Sequence, residues 1–444
     1  MTGAEEDYLD RPALHDVQCS RLRALLAEIL PHNSFYAGKF AQAGIDATAI
    51  HAPGDLTRLP FTTKAELLAD QEAHPPYGRA LTYPVERYCR MHQTSGTSGQ
   101  PLRWLDTPQS WDWLLGCWEM MFRIVGLHCG DRLFFPFSFG PFLGFWTAFD
   151  AAGRLGYLCL PGGGMSSTAR LRFLVDNQVT VVFCTPTYAL HLAEVARQQS
   201  LDLAASPVRA LVVAGEPGGS IPATRSRIEA AWGARVFDHS GLTEVGAVSI
   251  ECPENPSGLH ILEGAYLAEV IDPATEQPVS AGQVGELVLT NLGRWGSPLL
   301  RYRTGDLVRI DARPCPCGRA FMRLEGGILG RCDDMIHLRG NNVYPTALEA
   351  VIRRFPEVAE YRVEVDQSGP MARLRIELEP VSQAPANAIA ERVDRAIRDE
   401  LLFRADVTTV APGSLPRFEM KARRVVIRNS SAVCGLRTTE DRKP

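Results

Sequence analysis

Short apolar segments alternate with stretches of helical periodicity between about residues 85 and 330, and this alternation constrains the fold more than any other feature. Three apolar segments have the length of strands buried on both faces: 133–135, 179–183 and 210–214. Apolar spacing predicts helices over 108–125, 167–176, 187–199 and 221–232. The alternation predicts an α/β domain in which helices cover the sheets.

The segments around this region extend the same domain. Apolar residues at helical spacing predict an amphipathic helix over 17–30. Strands separated by glycine turns over 260–310 predict a small β subdomain at about 250–332. We therefore expect an N-terminal core that spans residues 1–332.

A second pattern begins after residue 333. A helix that opens at Pro345, two alternating strands and another helix predict a separate, small α+β domain over 333–430. The polar tail over 431–444 is expected to be disordered.

Composition excludes several classes of protein. The 444 residues are 45% apolar and 22% charged, which is typical of a soluble protein with two or three domains. The net charge of -5 predicts no nucleic-acid or membrane surface, and no apolar run approaches the roughly 18 residues of a membrane span. Eleven scattered cysteines suggest reduced thiols, and therefore a cytoplasmic protein.

The segment from His92 to Pro101 is rich in glycine, serine and threonine. Glycines let a backbone approach a ligand closely, and N–H and hydroxyl groups can surround phosphate oxygens. The segment lacks the Lys-Ser/Thr pair of a Walker loop, and a flexible solvent loop has a similar composition. The candidate phosphate-binding residues are Thr94, Ser95, Gly96, Thr97, Ser98 and Gly99.

Further polar segments fit a nucleotide site, although each alone also fits an ordinary turn or surface residue. The segment 214–217 follows a predicted buried strand, where α/β sheets bind ligands. Glu244, in the segment 238–244, offers a carboxylate that could bind Mg²⁺ beside a phosphate. Asp306 could accept both hydroxyls of a ribose, and the segment 330–345 could serve as a hinge.

In this order, the segments resemble the motifs of the adenylate-forming superfamily of acyl-CoA synthetases, peptide-synthetase adenylation domains and luciferases. Within it, the chain is most similar to the phenylacetate–CoA ligase family, from residue 33 to Lys421. The resemblance implies that ATP activates an aromatic carboxylic acid as an acyl-adenylate, and that CoA then accepts the acyl group. It implies ATP, Mg²⁺ and CoA as the small molecules bound.

The resemblance also implies the roles of the nucleotide-binding residues. The glycine-rich segment would hold the β- and γ-phosphates of ATP, Thr243 would contact the α-phosphate and Glu244 would bind Mg²⁺. Asp306 would bind the ribose hydroxyls with help from Arg331. The residues that would line the adenine pocket are Gly215, Glu216 and Pro217.

The resemblance also implies that the C-terminal domain is mobile, and three positions of this sequence match the family's residues involved in that movement. Asp333 would be the hinge, Gly340 would line the thiol channel, and Lys421 would be the catalytic lysine that bridges the acid and the α-phosphate. A carboxylate that attacks an anionic phosphate meets like-charge repulsion, which a lysine and Mg²⁺ offset in the transition state. Without the resemblance, Lys421 is one base in a cationic tail.

One position departs from the family. An aromatic residue that packs on adenine commonly precedes the Gly-Leu-Thr-Glu segment, but here Ser240 stands there, preceded by His239. Either His239 takes over the stacking or nucleotide affinity is lower.

The spacing of four residues suggests structural zinc. Cys252, His260 and the Cys-Pro-Cys-Gly turn of Cys315 and Cys317 would close a tetrahedral Zn²⁺ site if the β subdomain brings them together. The resemblance to the family, some of whose members carry such a site, supports this interpretation, and four unrelated residues are the alternative.

The aromatic segment 135–146 borders the acyl pocket by family position. Aromatic walls with glycines would leave a flat slot for an aryl ring, with Phe139, Phe142 and Gly144 as candidate members, although core packing explains some of the rings. A nearby His239 or Ser138 could bond a hydroxyl or amino group of the acid.

Two other functions stay open from the sequence. A stand-alone adenylation enzyme would load the acid onto a carrier-protein phosphopantetheine, and a basic cluster could meet either CoA phosphates or an acidic carrier. An inactive zinc-binding interaction protein would bind no ATP. The oligomeric state is open, with a homodimer as one candidate. The basic cluster comprises Arg417, Lys421, Arg423, Arg424 and Arg428.

Overall fold

The computed structural model describes residues 3–94, 100–338, 341–366, 373–381, 386–419 and 421–428. Their contacts divide the chain into two compact units. The first comprises Met1–Cys332 with Phe418–Lys421, and the second comprises Asp333–Arg417 with Ala422–Pro444.

The first unit contains nine α-helices and fourteen strands among the described residues. The helices are α1 (Gly3–Glu6), α2 (Arg11–Ile29), α3 (Ser34–Gln42), α4 (Lys64–Ala73), α5 (Pro108–Val125), α6 (Trp146–Arg154), α7 (Ser167–Asp176), α8 (Pro186–Gln198) and α9 (Pro222–Trp232). The strands are β1 (Arg90–Gln93), β2 (Arg103–Asp106), β3 (Arg132–Phe135), β4 (Leu158–Pro161), β5 (Val181–Cys184), β6 (Ala210–Val213), β7 (Arg235–Leu242), β8 (Gly246–Cys252), β9 (Asn255–Ile261), β10 (Tyr266–Ile271), β11 (Val284–Asn291), β12 (Tyr302–Arg309), β13 (Arg323–Glu325) and β14 (Gly330–Arg331).

An eight-stranded sheet forms the body of the first unit, in the order β13-β9-β8-β7-β6-β5-β3-β4. The strands from β4 to β7 are parallel, and β8, β9 and β13 continue the sheet antiparallel. Apolar side chains of α5 and α6 pack in the core on one face, and those of α7, α8 and α9 in the core on the other. The predicted α/β fold is confirmed.

The helix bounds follow from local capping. α5 begins where the Thr107 side chain accepts from Ser110 N, and it ends at Gly126, whose φ is +77°. α2 begins earlier than residue 17, because the Asp10 carboxylate accepts from Ala13 N and caps an additional turn. The apolar spacing in the sequence predicted only the later part of α2, where most of its buried residues lie.

The β subdomain is smaller than the sequence indicated. β10, β11, β12 and β14 form a separate four-stranded sheet, whereas β8, β9 and β13 belong to the eight-stranded sheet. β8 is buried along its whole length and β9 along its second half, so no alternation of apolar and polar residues reveals which sheet they join.

The second unit has two helices and six strands among its described residues. They are α10 (Pro345–Ile352), α11 (Ala386–Leu401), β15 (Ile336–Leu338), β16 (Asn341–Val343), β17 (Val358–Asp366), β18 (Arg373–Pro380), β19 (Asp406–Thr409) and β20 (Val425–Arg428). Four strands form one sheet in the order β19-β18-β17-β20, and both helices contribute to its apolar core. Of the described helices, none combines the length and the apolar character needed to cross a bilayer.

Two helix-ending glycines provide a matched test of this fold. Gly126 and Gly233 both have φ near +60° to +77°, but an added Cβ would meet nothing at Gly126 and would lie 3.0 Å from Ala204 Cα at Gly233. We expect Gly126→Ala to destabilise the first unit by about 1 kcal/mol, and Gly233→Ala by about 2–3 kcal/mol because contact adds to backbone strain.

Urea denaturation followed by tryptophan fluorescence measures this difference, since all seven tryptophans lie in the first unit. Equal shifts of the two midpoints would contradict the predicted contact with Ala204.

Candidate active site

The glycine-rich segment joins the two strands of a hairpin. β1 and β2 pair antiparallel, and Thr94 closes the loop between them. Thr94 N donates to Leu102 O at 3.0 Å, and Leu102 N donates to Thr94 Oγ1 at 3.0 Å. Ser95, Gly96, Thr97, Ser98 and Gly99 lie outside the described residues. These two hydrogen bonds therefore fix Thr94 at the base of the candidate phosphate loop.

A buried arginine connects this hairpin to the turn that carries the predicted magnesium ligand. Arg294 is 0% exposed and makes a bidentate ion pair with Asp106, the last residue of β2, at 2.6 Å to each carboxylate oxygen. Its Nη1 donates to Thr243 O at 2.9 Å and to Glu244 O at 3.0 Å. One guanidinium thus holds both loops.

The Glu244 carboxylate is oriented by a buried tyrosine. Glu244 is 4% exposed, and its Oε1 accepts from the Tyr302 hydroxyl at 2.7 Å. Burial, and then the Glu244 charge, raise the pKa of Tyr302, so the hydroxyl keeps its proton and acts as donor. A fixed carboxylate with a second oxygen available suits a hard cation such as Mg²⁺.

The two residues predicted to bind ribose are neighbours across a strand pair. Asp306 on β12 lies opposite Arg331 on β14, and Arg331 Nη1 contacts Asp306 Oδ1 at 2.9 Å. Gly305, with φ +76°, precedes Asp306, and an added Cβ there would lie 2.9 Å from Arg331 Nη2. The structure therefore brings Asp306 and Arg331 together.

The predicted adenine segment follows β6 directly. Gly215 has φ +92°, which favours glycine. The Glu216 carboxylate accepts from Thr187 N at 2.8 Å, at the first turn of α8. The Glu216 side chain thus anchors the segment that contains Pro217 to a helix N-terminus.

His239 and Ser240 are adjacent on β7 and face opposite sides of it. His239 is 7% exposed, and its ring centroid lies 4.7 Å from that of Trp118. Its Nδ1 is 2.7 Å from Ser249 O, while Ser240 Oγ contacts Ser249 Oγ at 2.6 Å. The His239 ring packs among other aromatic rings. This packing disfavours the alternative in which His239 stacks on adenine.

The candidate acid-pocket residues lie between β3 and α6. The Phe139 ring contacts the Trp146 ring with centroids 4.4 Å apart. Added Cβ atoms at Gly140 and Gly144 would both lie within 3 Å of the Phe142 ring. The two glycines therefore accommodate the Phe142 ring, and the acid pocket expected from the sequence stays a prediction.

The C-terminal candidates lie in different parts of the structure. Asp333 is in a short 3-10 turn, Cys332–Asp334, and is the first residue of the second unit. Gly340 lies outside the described residues. Lys421 is exposed and groups with the first unit.

The four candidate zinc ligands converge. Their ligand atoms all lie within 4.8 Å of one another. Cys252 Sγ is 3.5 Å from Cys315 Sγ, and Cys317 Sγ is 3.5 Å from His260 Nε2. In a tetrahedral zinc site with standard bond lengths the sulfur atoms are about 3.8 Å apart. The geometry and the chemistry of these donors fit Zn²⁺.

Sequence reasoning missed the residues that organise the site. Tyr302 stands in the same short segment as Asp306, so its position next to a predicted ribose ligand was an available signal. Arg294 and Asp106 lie far apart in sequence, and neither belongs to a recognisable motif. Only the tertiary structure reveals that they form a pair.

Comparison with known proteins agrees with this architecture. A model of the AMP-binding enzyme family matches residues 84–293, and one of the AMP-binding enzyme C-terminal domain matches 340–428. The phenylacetate-coenzyme A ligase of Thermus thermophilus is 34% identical over 96% of this chain and 99% of its own length. That of Escherichia coli is 30% identical over 96% and 98%.

A solved structure shares the fold. The crystal structure of 2-hydroxyisobutyryl-CoA ligase in the postadenylation state, in complex with 2-HIB-AMP, superposes with a TM-score of 0.91 at 30% identity. The match covers 96% of this chain and 92% of that chain. By sequence and structure together, the chain belongs to the phenylacetate–CoA ligase family of AMP-binding enzymes.

Proposed function

We propose that this protein is an AMP-forming acid–thiol ligase that activates an aromatic carboxylic acid with ATP and transfers the acyl group to CoA. The observation that carries this proposal is the convergence on Arg294 of Asp106, which ends the glycine-rich hairpin, with Thr243 and Glu244. Family membership supports the same activity.

The proposed first step is attack of the acid carboxylate on the α-phosphate of ATP, with pyrophosphate as leaving group. The loop closed by Thr94 holds the leaving phosphates, and Asp306 with Arg331 holds the ribose. Glu244 would hold Mg²⁺, which offsets negative charge on the phosphates when bound. Thr243 contacts the α-phosphate, and Lys421 neutralises charge that develops between carboxylate and phosphate.

The aromatic side chains of the segment 135–146 favour an aryl acid as the substrate. The rings of Phe137, Phe139, Phe145 and Trp146 cluster next to the β1 hairpin, and Gln93 N donates to Pro141 O at 2.6 Å. The curated relatives above are named for phenylacetate, which is also an aryl acid. The 2-hydroxyisobutyryl-CoA ligase indicates that short hydroxy acids belong in the same substrate screen.

CoA is the acceptor that the comparisons favour over a carrier protein. Three arginines of the predicted basic cluster are paired within the second unit: Arg417 with Glu379, Arg424 with Glu360 and Arg428 with Glu364. These ion pairs reduce the charge available to either acceptor, so the preference for CoA rests on the relatives that are named as CoA ligases. In the proposed second step the second unit rotates at Asp333, and Gly340 lines the path of the CoA thiol.

A structural zinc ion is part of the proposal. Cys252, His260, Cys315 and Cys317 would supply all four ligands of a tetrahedral site, so that no position stays open for substrate. The ion would tie β8 and β9 to the turn that precedes β13.

A screen of acids tests the activity. Pyrophosphate exchange with aryl and short aliphatic acids identifies the substrate, and CoA is then added to the acids that support exchange. Thioester formation with a KM for CoA well below millimolar supports the ligase over a carrier-loading enzyme. Absence of ATP binding by calorimetry would instead favour the inactive zinc protein.

Lys421→Ala separates the two half-reactions. We expect acid-dependent pyrophosphate exchange to fall by about 10²–10³-fold, because the charge in the transition state loses its counterion. Thiol transfer from a preformed adenylate should be largely retained. Lys64→Ala, which removes a lysine at the start of α4, is the control and should keep both reactions. Equal loss of both half-reactions in Lys421→Ala would contradict the assigned role.

Tyr302→Phe tests the orientation of Glu244. Removing the hydroxyl donor should raise the Mg²⁺ concentration required for half-maximal exchange about 10-fold, as other partners of metal-binding carboxylates do. Tyr36→Phe is a matched control, because its buried hydroxyl accepts from Leu300 N at 3.0 Å and does not contact Glu244. It should lower stability without changing the Mg²⁺ dependence. The same Mg²⁺ requirement in both variants would refute the positioning role.

Cys317→Ser tests the zinc site. We expect elemental analysis to find about one zinc per wild-type chain and a large loss of zinc in the variant, with a lower melting temperature of the first unit, because metal binding contributes to folding. Cys89→Ser, an exposed cysteine outside the cluster, should retain the metal. Zinc-free wild-type protein, purified without chelator, would rule the site out.

A further inference from the structure

The two sides of β7 face different parts of the first unit. Side chains alternate along a strand, so Phe237 and His239 share one face and Asp238 and Ser240 share the other. Phe237 and Ile250, which pairs with His239 across the strands, lie in the core that includes Trp118 and Phe145. His239 is therefore on the aromatic face.

The opposite face carries the nucleotide segment. Ser220 Oγ donates to the Asp238 carboxylate, and an added Cβ at Gly219 would lie 2.5 Å from Asp238 Oδ1. Gly219 and Ser220 lie two and three residues after the predicted adenine segment 215–217. The face of β7 that carries Ser240 therefore adjoins the chain that follows the predicted adenine segment, and the face that carries His239 adjoins the aromatic rings.

Hydrogen bonding determines the tautomer of His239. A carbonyl oxygen can only accept, so the 2.7 Å contact with Ser249 O requires the proton on Nδ1. Burial lowers the pKa of His239 to about 4, which keeps the ring neutral at physiological pH. In a neutral ring with Nδ1 protonated, Nε2 is an acceptor.

That acceptor has no hydrogen-bond partner among the residues that the structure describes. The side chain is 93% buried beside the rings of Trp118 and Phe145, whose centroids lie 4.7 and 6.4 Å away. Nε2 of His239 is not among the fully buried side-chain atoms that lack a partner, so a donor from outside the protein can reach it. The apolar rings around it cannot supply a donor.

We propose that the acid substrate carries a hydroxyl or amino group that donates a hydrogen bond to Nε2 of His239. This inference rests on the proposed aryl-acid ligase activity and narrows its substrate class. Indole and phenyl rings would bind the apolar part of the acid, and His239 would select the polar substituent. Phenylacetate itself, which has no such donor, would be a poorer substrate than a hydroxy- or amino-substituted analogue.

Pyrophosphate exchange with matched acids tests the proposal. The probes are phenylacetate, its 2-, 3- and 4-hydroxy and amino derivatives, and the corresponding methoxy compounds, which have similar polarity but cannot donate. We expect kcat/KM for at least one donor-bearing acid to exceed that for phenylacetate and for its methoxy analogue by about 10–100-fold.

Two substitutions assign this preference to His239. His239→Leu should remove the advantage of the donor-bearing acid, so that its kcat/KM approaches that of phenylacetate in the same variant. His239→Gln, which keeps an acceptor oxygen and is the more conservative change, should restore part of the preference. His191→Leu, a histidine on α8, is the control and should leave the ratio unchanged.

The outcomes separate this inference from the proposed function. Exchange with phenylacetate and its hydroxy derivatives at equal kcat/KM, or a preference that survives His239→Leu, would overturn the role of His239 and leave the ligase activity intact. No exchange with any acid would overturn the proposed function and this inference with it.

Discussion

The buried ion pair between Arg294 and Asp106 is the interaction on which the candidate site depends. Both side chains are fully withdrawn from water, and Nη1 of Arg294 donates to the carbonyls of Thr243 and Glu244. Loss of one partner of such a pair commonly destabilises a protein by about 3–5 kcal/mol, because the other charge stays buried. The pair therefore holds two loops, distant in sequence, at a defined separation before any ligand binds.

The parts of the structure that follow from local physics could be predicted from the sequence. Helices α5 and α7 have the predicted bounds, since apolar periodicity and capping residues agree there. The start of α2 was misplaced because the cap at Asp10 lies where apolar spacing is weak. The pairing of Arg294 with Asp106 was not predictable, since no periodicity or motif relates the two positions.

Two patterns in the sequence have a different meaning in the folded chain. The glycines of the aromatic segment suggested space for a ligand, but the Phe142 ring occupies the space beside Gly140 and Gly144. The basic residues near the C-terminus suggested a surface for anions, yet Arg424 is buried against Glu360, and β20 pairs parallel with β17. Composition indicates which chemical groups are present, and only tertiary packing determines which of them stay available.

The pairing of β13 with β9 makes β10, β11 and β12 of the four-stranded sheet an excursion from the eight-stranded one. The chain leaves after β9 and returns beside it, and Tyr302 and Asp306 lie on the excursion. Because doubling the length of a loop adds only about 0.6 kcal/mol of closure entropy, the excursion can lengthen or shorten at its far turns without disturbing the place where it rejoins. The excursion thus carries two residues of the candidate site, and its far turns tolerate a change of length better than the two ends where it joins the eight-stranded sheet.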